Sequence, residues 1–409
     1  MSTFRNLHNS IKIRIYLQFA TNLASMMIFP FIAVYFSQQV GAAITGVLIV
    51  LVICSGIVGG FLGGYWSDQF GRRKLLILSE LGIGLSFLAI ASVNSPWIVL
   101  PYVSFVLFMI NMFFNGIYMP VSYAMIYDLV KKETRNFVFT AVYWVGNLSS
   151  ALGSIIGAFL FEEYLFYLFI FVAIITLLSS LVTYLFISET FMKKELTDDI
   201  PQKKKSIWSS YRTVLSDRLF LIFLIGTLFV LSLESHLTNY IAVHLEKTMS
   251  ETELFGSITI DGINMVGILH AENTLLVVLT VGLVTWIVKN TSEYKKLIIG
   301  MSIYVIAYAL LSYISSPWVL IILMVFISLG ELMYIPVRQS LLADLADESY
   351  RSSYLALNSF IGQGTMILAG AAITISGSVS AIIMSGSFFT IGLIGVFMMS
   401  HVMKKQTFN

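Results

Sequence analysis

Long apolar stretches, each near the length of a membrane crossing, follow one another along the whole chain with short polar breaks between them. They predict twelve spans, at roughly 13–36, 44–66, 75–94, 97–127, 137–161, 164–188, 218–245, 262–288, 295–314, 317–344, 352–376 and 379–402. A bilayer core takes about 20 apolar residues per helix, and within it every backbone polar group must be satisfied internally. The fold class that follows is all-α and polytopic, with twelve transmembrane helices. The eighth span is the weakest, because Asp261, His270 and Glu272 interrupt it. An alternative reading leaves Thr248–His270 as an external loop with a partial helix.

Composition agrees. Of 409 residues, 57% are hydrophobic and 11% charged, against about 25% charged in a soluble chain. The net charge of +2 says little, but its distribution says much. With the N-terminus inside, 23 of the 24 basic residues fall in cytoplasmic segments, and only Lys247 falls outside. Glu162, Glu163, Glu246, Glu251, Glu253 and Glu272 collect on the outer side. That bias sets the orientation and places both termini in the cytoplasm. The N-terminus MSTFRNLHNSIKIRIY has no cleavage-site pattern, so the first apolar run is expected to remain as a helix. The one cysteine, Cys54, lies in an apolar run and is expected to be a buried structural thiol.

The halves repeat. Ser95-Pro96-Trp97 is matched by Ser316-Pro317-Trp318; Tyr118-Met119-Pro120-Val121 is matched by Tyr334-Ile335-Pro336-Val337. Asp128-Leu129 pairs with Asp344-Leu345 and Arg135 with Arg351, all at the 216-residue offset of the tyrosines. Duplication of a six-helix bundle follows: residues 1–188, a cytoplasmic linker at 189–217 and residues 218–409, with a site between the halves. Glycines at four-residue spacing, Gly56/Gly60/Gly64, Gly59/Gly63 and Gly153/Gly157, mark faces for close helix contact.

Four acidic residues fall inside or at the end of spans: Glu80, Glu234, Glu331 and Asp128. An Asp at the centre of a membrane helix costs about 2.5–3.5 kcal/mol on insertion scales, so such residues face the bundle interior and are kept for a reason. Glu331 lies about 21 Å beyond Pro317 at 1.5 Å per residue, close to midway along its helix. It reads as functional. Glu80, only about 9 Å past Lys74, reads as structural and near the inner boundary. Glu234 stands open between the two, with His236 close by. Tyr143, Trp144 and Asn147 of the fifth span and Tyr334 of the tenth are candidates for lining a cavity. His236, His244 and His270 have no metal-ligand spacing.

The turn GYWSDQFGRRKLL, with Gly64, Asp68, Gly71, Arg72 and Arg73, joins the second and third spans. In that position it resembles the signature loop of the major facilitator superfamily. VYWVGNLSSALG (142–153) and LGELMYIPVRQ (329–339) resemble the multidrug/proton antiporters of Gram-positive bacteria, particularly the lactococcal twelve-helix type. The resemblance implies alternating access and export of lipophilic compounds in exchange for protons. It assigns gating to Asp68, proton coupling and substrate cations to Glu331, and to Asp128 a pairing with the basic residues of the signature loop. Val142 stands where those relatives carry an acidic residue, and the buried Arg of the fourth helix is missing from Phe105–Tyr118.

The function expected is therefore proton-coupled efflux of lipophilic or cationic small molecules from a bacterial cell membrane, by a monomer without cofactor, metal or nucleic acid. Export or flipping of one metabolite or lipid is the alternative. A membrane-embedded enzyme or receptor is a third class; no HExxH, nucleophile elbow or phosphate-binding loop supports it.

Overall fold

The computed structural model describes residues 7–130, 134–189, 207–254, 256, 258–346 and 351–408. The first half runs α1 (Asn9–Met26), a 3₁₀ turn (Phe29–Phe31), α2 (Ile32–Val40), α3 (Ala42–Phe70), α4 (Arg72–Val93), α5 (Pro101–Leu129) and α6 (Arg135–Phe186). The second runs α7 (Ile207–Ser216), α8 (Arg218–Ser235), a π turn (Leu237–Ile241), α9 (Ala242–Thr248), α10 (Gly262–Ile287), α11 (Glu293–Leu311), α12 (Pro317–Leu345), α13 (Arg351–Ser376) and α14 (Ala381–Phe408). Two antiparallel hairpins complete it: β1 (Asn94–Ser95) with β2 (Ile98–Val99), and β3 (Thr252–Leu254) with β4 (Ile258–Ile260).

Among the described residues, 11 helical stretches are long and apolar enough to cross a membrane. One of them, α6, is 52 residues long and broken at Tyr164 (φ −118°, ψ 20°), so it holds two spans and brings the count to twelve. The first span is not one straight helix. Pro30 removes a backbone donor, and the chain passes from α1 through the 3₁₀ turn into α2. The eighth span settles as a full helix from Gly262, which corrects the partial-helix alternative. Asp261 and Asn264 form a reciprocal capping box at its start, and the polar stretch before it folds as the β3–β4 hairpin.

Two compact units emerge: Met1–Lys194 with Val266–Thr274, and Glu195–Met265 with Leu275–Asn409. In the first, α5 packs against α3 and α4, and α6 against α1 and α4. The glycine face of α3 makes the α3–α5 contact possible. A Cβ at Gly59 would sit 2.0 Å from the Phe113 carbonyl oxygen, and one at Gly63 2.7 Å from Ile117 Cα. Gly153 and Gly157 of α6 meet Leu23 and Met27 of the first span in the same way. Cys54, on α3, is exposed rather than buried. In the second unit α11 packs against α12 and α14, and α8 against α13 and α14.

Candidate functional site

At the end of α3 the chain turns through Gly71, whose φ of 91° lies in the left-handed region that favours glycine. The Glu189 carboxylate lies against it, 2.6 Å from where a Cβ would stand. That carboxylate accepts hydrogen bonds from the backbone N–H groups of Arg72 (3.0 Å) and Arg73 (3.1 Å). It thus satisfies donors that the first turn of α4 leaves open and sits at the positive end of the helix dipole. Arg72 forms an ion pair with Asp128 at 2.6 Å, closing α4 onto the end of α5. The Arg73 guanidinium donates to the Tyr184 carbonyl and lies 5.5 Å over the Tyr184 ring. The expected pairing of Asp128 with the signature loop is therefore present, and Glu189 is an additional member. The side chains of Asp68 and Tyr143, and Gly64, lie outside the described part of the structure.

Deeper in the same unit, Arg14 and Glu80 form an ion pair at 2.9 Å, with side chains 0% and 1% exposed. Arg14 also donates to Tyr118 Oη (2.9 Å) and Ser122 Oγ (2.8 Å), and Ser179 Oγ donates to Glu80 (2.9 Å). One expectation is corrected here: Arg14 belongs to the bundle interior, not to an exposed cytoplasmic surface, and there it pairs with Glu80. The pairing explains why both are kept: a charge is tolerated out of water when a partner of opposite sign and hydrogen bonds compensate it. The guanidinium missing from the fourth span is thus supplied from α1, against Tyr118 and Ser122 of α5. Val142 is buried in an apolar cluster with Leu7, Ile11, Ile15, Ile126, Val130 and Val138. Trp144 is exposed and Asn147 half-buried on the same helix, α6.

Glu234 at the end of α8 and Glu331 on α12 lie close enough to repel one another. Glu234 is exposed. Tyr304, Tyr308 and Tyr334 feel both carboxyl groups. Their rings pack edge to face, Tyr304 against Tyr308 at 4.8 Å and against Tyr334 at 5.3 Å.

The buried hydroxyls of Tyr304 and Tyr334 influence each other electrostatically but meet no acceptor with hydrogen-bond geometry. Glycines bring the elements together: a Cβ at Gly300 of α11 would lie 2.8 Å from the Gly330 carbonyl oxygen, and one at Gly330 of α12 2.6 Å from that of Gly300. Backbone therefore meets backbone one residue before Glu331.

Tyr334 keeps its place beside Glu331 but is 0% exposed, so it supports the site from behind instead of lining an open surface. His236, also buried, stacks on Phe388 of α14 at 4.1 Å and belongs to that packing contact. Tyr304 and Tyr308 were not visible as site residues in the sequence. Their four-residue spacing gives them one helix face, but nothing ties that face to α12.

A sequence profile described as Major Facilitator Superfamily matches residues 15–370. A Na⁺, Li⁺, K⁺/H⁺ antiporter of Planococcus maritimus is 31% identical over 366 residues, which cover 85% of each chain. Multidrug resistance protein MdtH of Photorhabdus laumondii is 25% identical over 82% of this chain and 79% of that one. Among solved structures, the nucleoside transporter NupG aligns with a TM-score of 0.75 at 12% identity, covering 96% of this chain and 99% of that one. The POT family transporter PepTSo aligns at 0.76 and 12%, covering 98% of both. At such identities the structural likeness concerns the fold alone.

Proposed function

We propose, from the premise that the chain belongs to the Major Facilitator Superfamily, that this multi-pass membrane transporter is a proton-coupled exporter of cations, with Glu331 as the main coupling residue and Glu234 as its partner. One observation carries the reading: two carboxyl groups within mutual repulsion inside spanning helices. Like charges that close disfavour double ionisation, so the pair favours one positive occupant, a proton or a cation. Mutual exclusion between the two occupants gives exchange without a long-range pathway.

The test is flux in proteoliposomes with an imposed pH gradient, using a monocationic dye and a neutral dye. Glu331→Gln is expected to uncouple cation export from the gradient and to affect the neutral dye less. Wild-type coupling of both dyes in that variant would overturn the assignment and leave Glu234 as the next candidate. A panel of unrelated dyes separates multidrug export from a dedicated exporter of one metabolite or lipid.

A second reading is exchange of alkali cations for protons. It is favoured by the relative at 31% identity, whose name states that activity. Sodium- or potassium-driven alkalinisation in the same vesicles, without any dye, tests it.

The signature loop is proposed to act as a gate, with the Arg72–Asp128 ion pair and Glu189 latching one conformational state. Asp68→Asn is then expected to slow turnover severely while apparent affinity stays near wild type. The two halves, 1–188 and 218–409 with the 189–217 linker between them in sequence, are proposed to be copies of one six-helix bundle. Both termini and the linker are proposed to face the cytoplasm of a bacterial cell. A cysteine at Lys405, in a chain freed of Cys54, is expected to resist impermeant thiol reagents added outside intact cells. Rapid labelling there would reverse the orientation.

A further inference from the structure

The helix that carries Glu234 does not continue as an α-helix. Immediately after α8 comes the π turn Leu237–Ile241, with the Ile241 N–H donating to the His236 carbonyl at 2.8 Å, five residues back. A π turn holds one more residue than an α turn and leaves a carbonyl unclaimed. In an α-helix the Ser235 carbonyl would accept from the Asn239 backbone. Here that N–H goes to His236 O at 3.2 Å, and the Asn239 side-chain amide takes the Ser235 carbonyl instead, at 2.7 Å. Asn239 thus repairs with its side chain the bond that its backbone gives up.

Other contacts hold the same register. Ser235 Oγ donates to Thr365 Oγ1 of α13 at 2.9 Å, and Phe388 of α14 meets the rings of His236 and Tyr240 at 4.1 and 5.3 Å. His236 Nδ1 is buried without a partner, a cost the register carries.

We propose that the π turn sets which residue of α8 presents to the coupling site, and that Asn239 is a positioning residue holding Glu234 there. The argument is geometric. Each residue of an α-helix advances about 100°. With α9 fixed, conversion of the π turn to α geometry absorbs the extra residue into the helix and rotates the preceding segment by one step. Ser235 then occupies the direction that Glu234 holds now. Deleting one residue from the turn has the opposite consequence: the helix becomes regular while both flanks keep their faces. The inference deepens the coupling-site reading and rests on it for its meaning in transport. The orientation itself is measurable without transport.

The test uses full-length protein with Cys54→Ala, carrying either Glu234→Cys or Ser235→Cys, and a small water-soluble methanethiosulfonate. With Asn239 present, position 234 is expected to react faster than 235. Asn239→Leu removes the amide, and Asn239→Asp keeps the shape without the donor. In each, loss of one hydrogen bond is expected to move the 234:235 reactivity ratio toward 235 by roughly fivefold. Deletion of Asn239 is expected to restore the preference for 234.

An unchanged ratio in both substitutions, or the same shift on deletion, overturns the proposal. In a chain with Glu234 intact, Asn239→Leu is expected to weaken apparent cation affinity by the same factor, with maximal rate less affected. If Glu234→Gln leaves transport unaltered while the reactivity ratio still shifts, the coupling-site reading fails and the register assignment stands.

Discussion

The two carboxyl environments differ in a way a single side chain can report. Glu80 is neutralised by Arg14, and both are removed from solvent. Removing one partner of such a pair strands the other. Glu80→Gln is expected to destabilise the protein by about 3–5 kcal/mol, whereas replacing both residues with methionine recovers most of the loss. Apparent melting temperatures of the detergent-solubilised variants check this, and equal loss in the single and double variants contradicts it. Glu234→Gln, by contrast, relieves a repulsion and is expected to leave the melting temperature at or above wild type.

The sequence made Glu331 and Tyr334 legible as neighbours because three residues on one helix share a face. It hid Arg14, which sits in a basic N-terminal run indistinguishable from a cytoplasmic flank. Its partners lie 66 to 169 residues away, beyond any local pattern. Glu189 was hidden for the same reason, 117 residues from the backbone it caps.

Among the elements, the glycine spacing in α3 announced a close contact, but not which glycines bear it. A Cβ at Gly59 would overlap the Phe113 carbonyl at 2.0 Å, while at Gly60 the nearest atom is the Gly116 carbonyl oxygen at 3.7 Å. Gly59→Ala is therefore expected to push α3 and α5 apart at a cost of about 1–3 kcal/mol, and Gly60→Ala to be nearly silent. Size-exclusion profiles and melting curves of the two variants compare them directly; matched behaviour contradicts the packing described. The start of α10 gives a second contrast. The charged residues that made this span look doubtful include Asp261, whose side chain accepts from Asn264 N at 2.7 Å and begins the helix. Asp261→Ala is expected to cost about 1 kcal/mol and fray the first turn. Hydropathy alone scores that aspartate as an interruption because it ignores capping.

For the whole molecule, the duplication read from Tyr118 and Tyr334 is accompanied by unequal surroundings. Tyr118 accepts from a buried guanidinium, while Tyr334 packs on another tyrosine beside two carboxyls. The span count, the family and the paired prolines were legible because they repeat along the chain. The division of labour proposed for the halves was not, since it depends on which long-range partners each copy acquired. Exchange of charge across the Arg72–Asp128 pair tests how the start of α4 and the end of α5 work together. Arg72→Asp and Asp128→Arg singly are expected to impair transport, and the double variant to regain part of it. A double variant no better than either single one would leave the ion pair without a role in turnover.

Cys54 also has a use for experiments on the intact protein. The chain owns one thiol, and it is exposed near the middle of α3 instead of being sealed in the core. An uncharged maleimide is therefore expected to add one equivalent to the folded protein and no more after unfolding. A fluorophore or spin label attached there would report from a single known place, and the protein brings its own reporter position to spectroscopy without engineering.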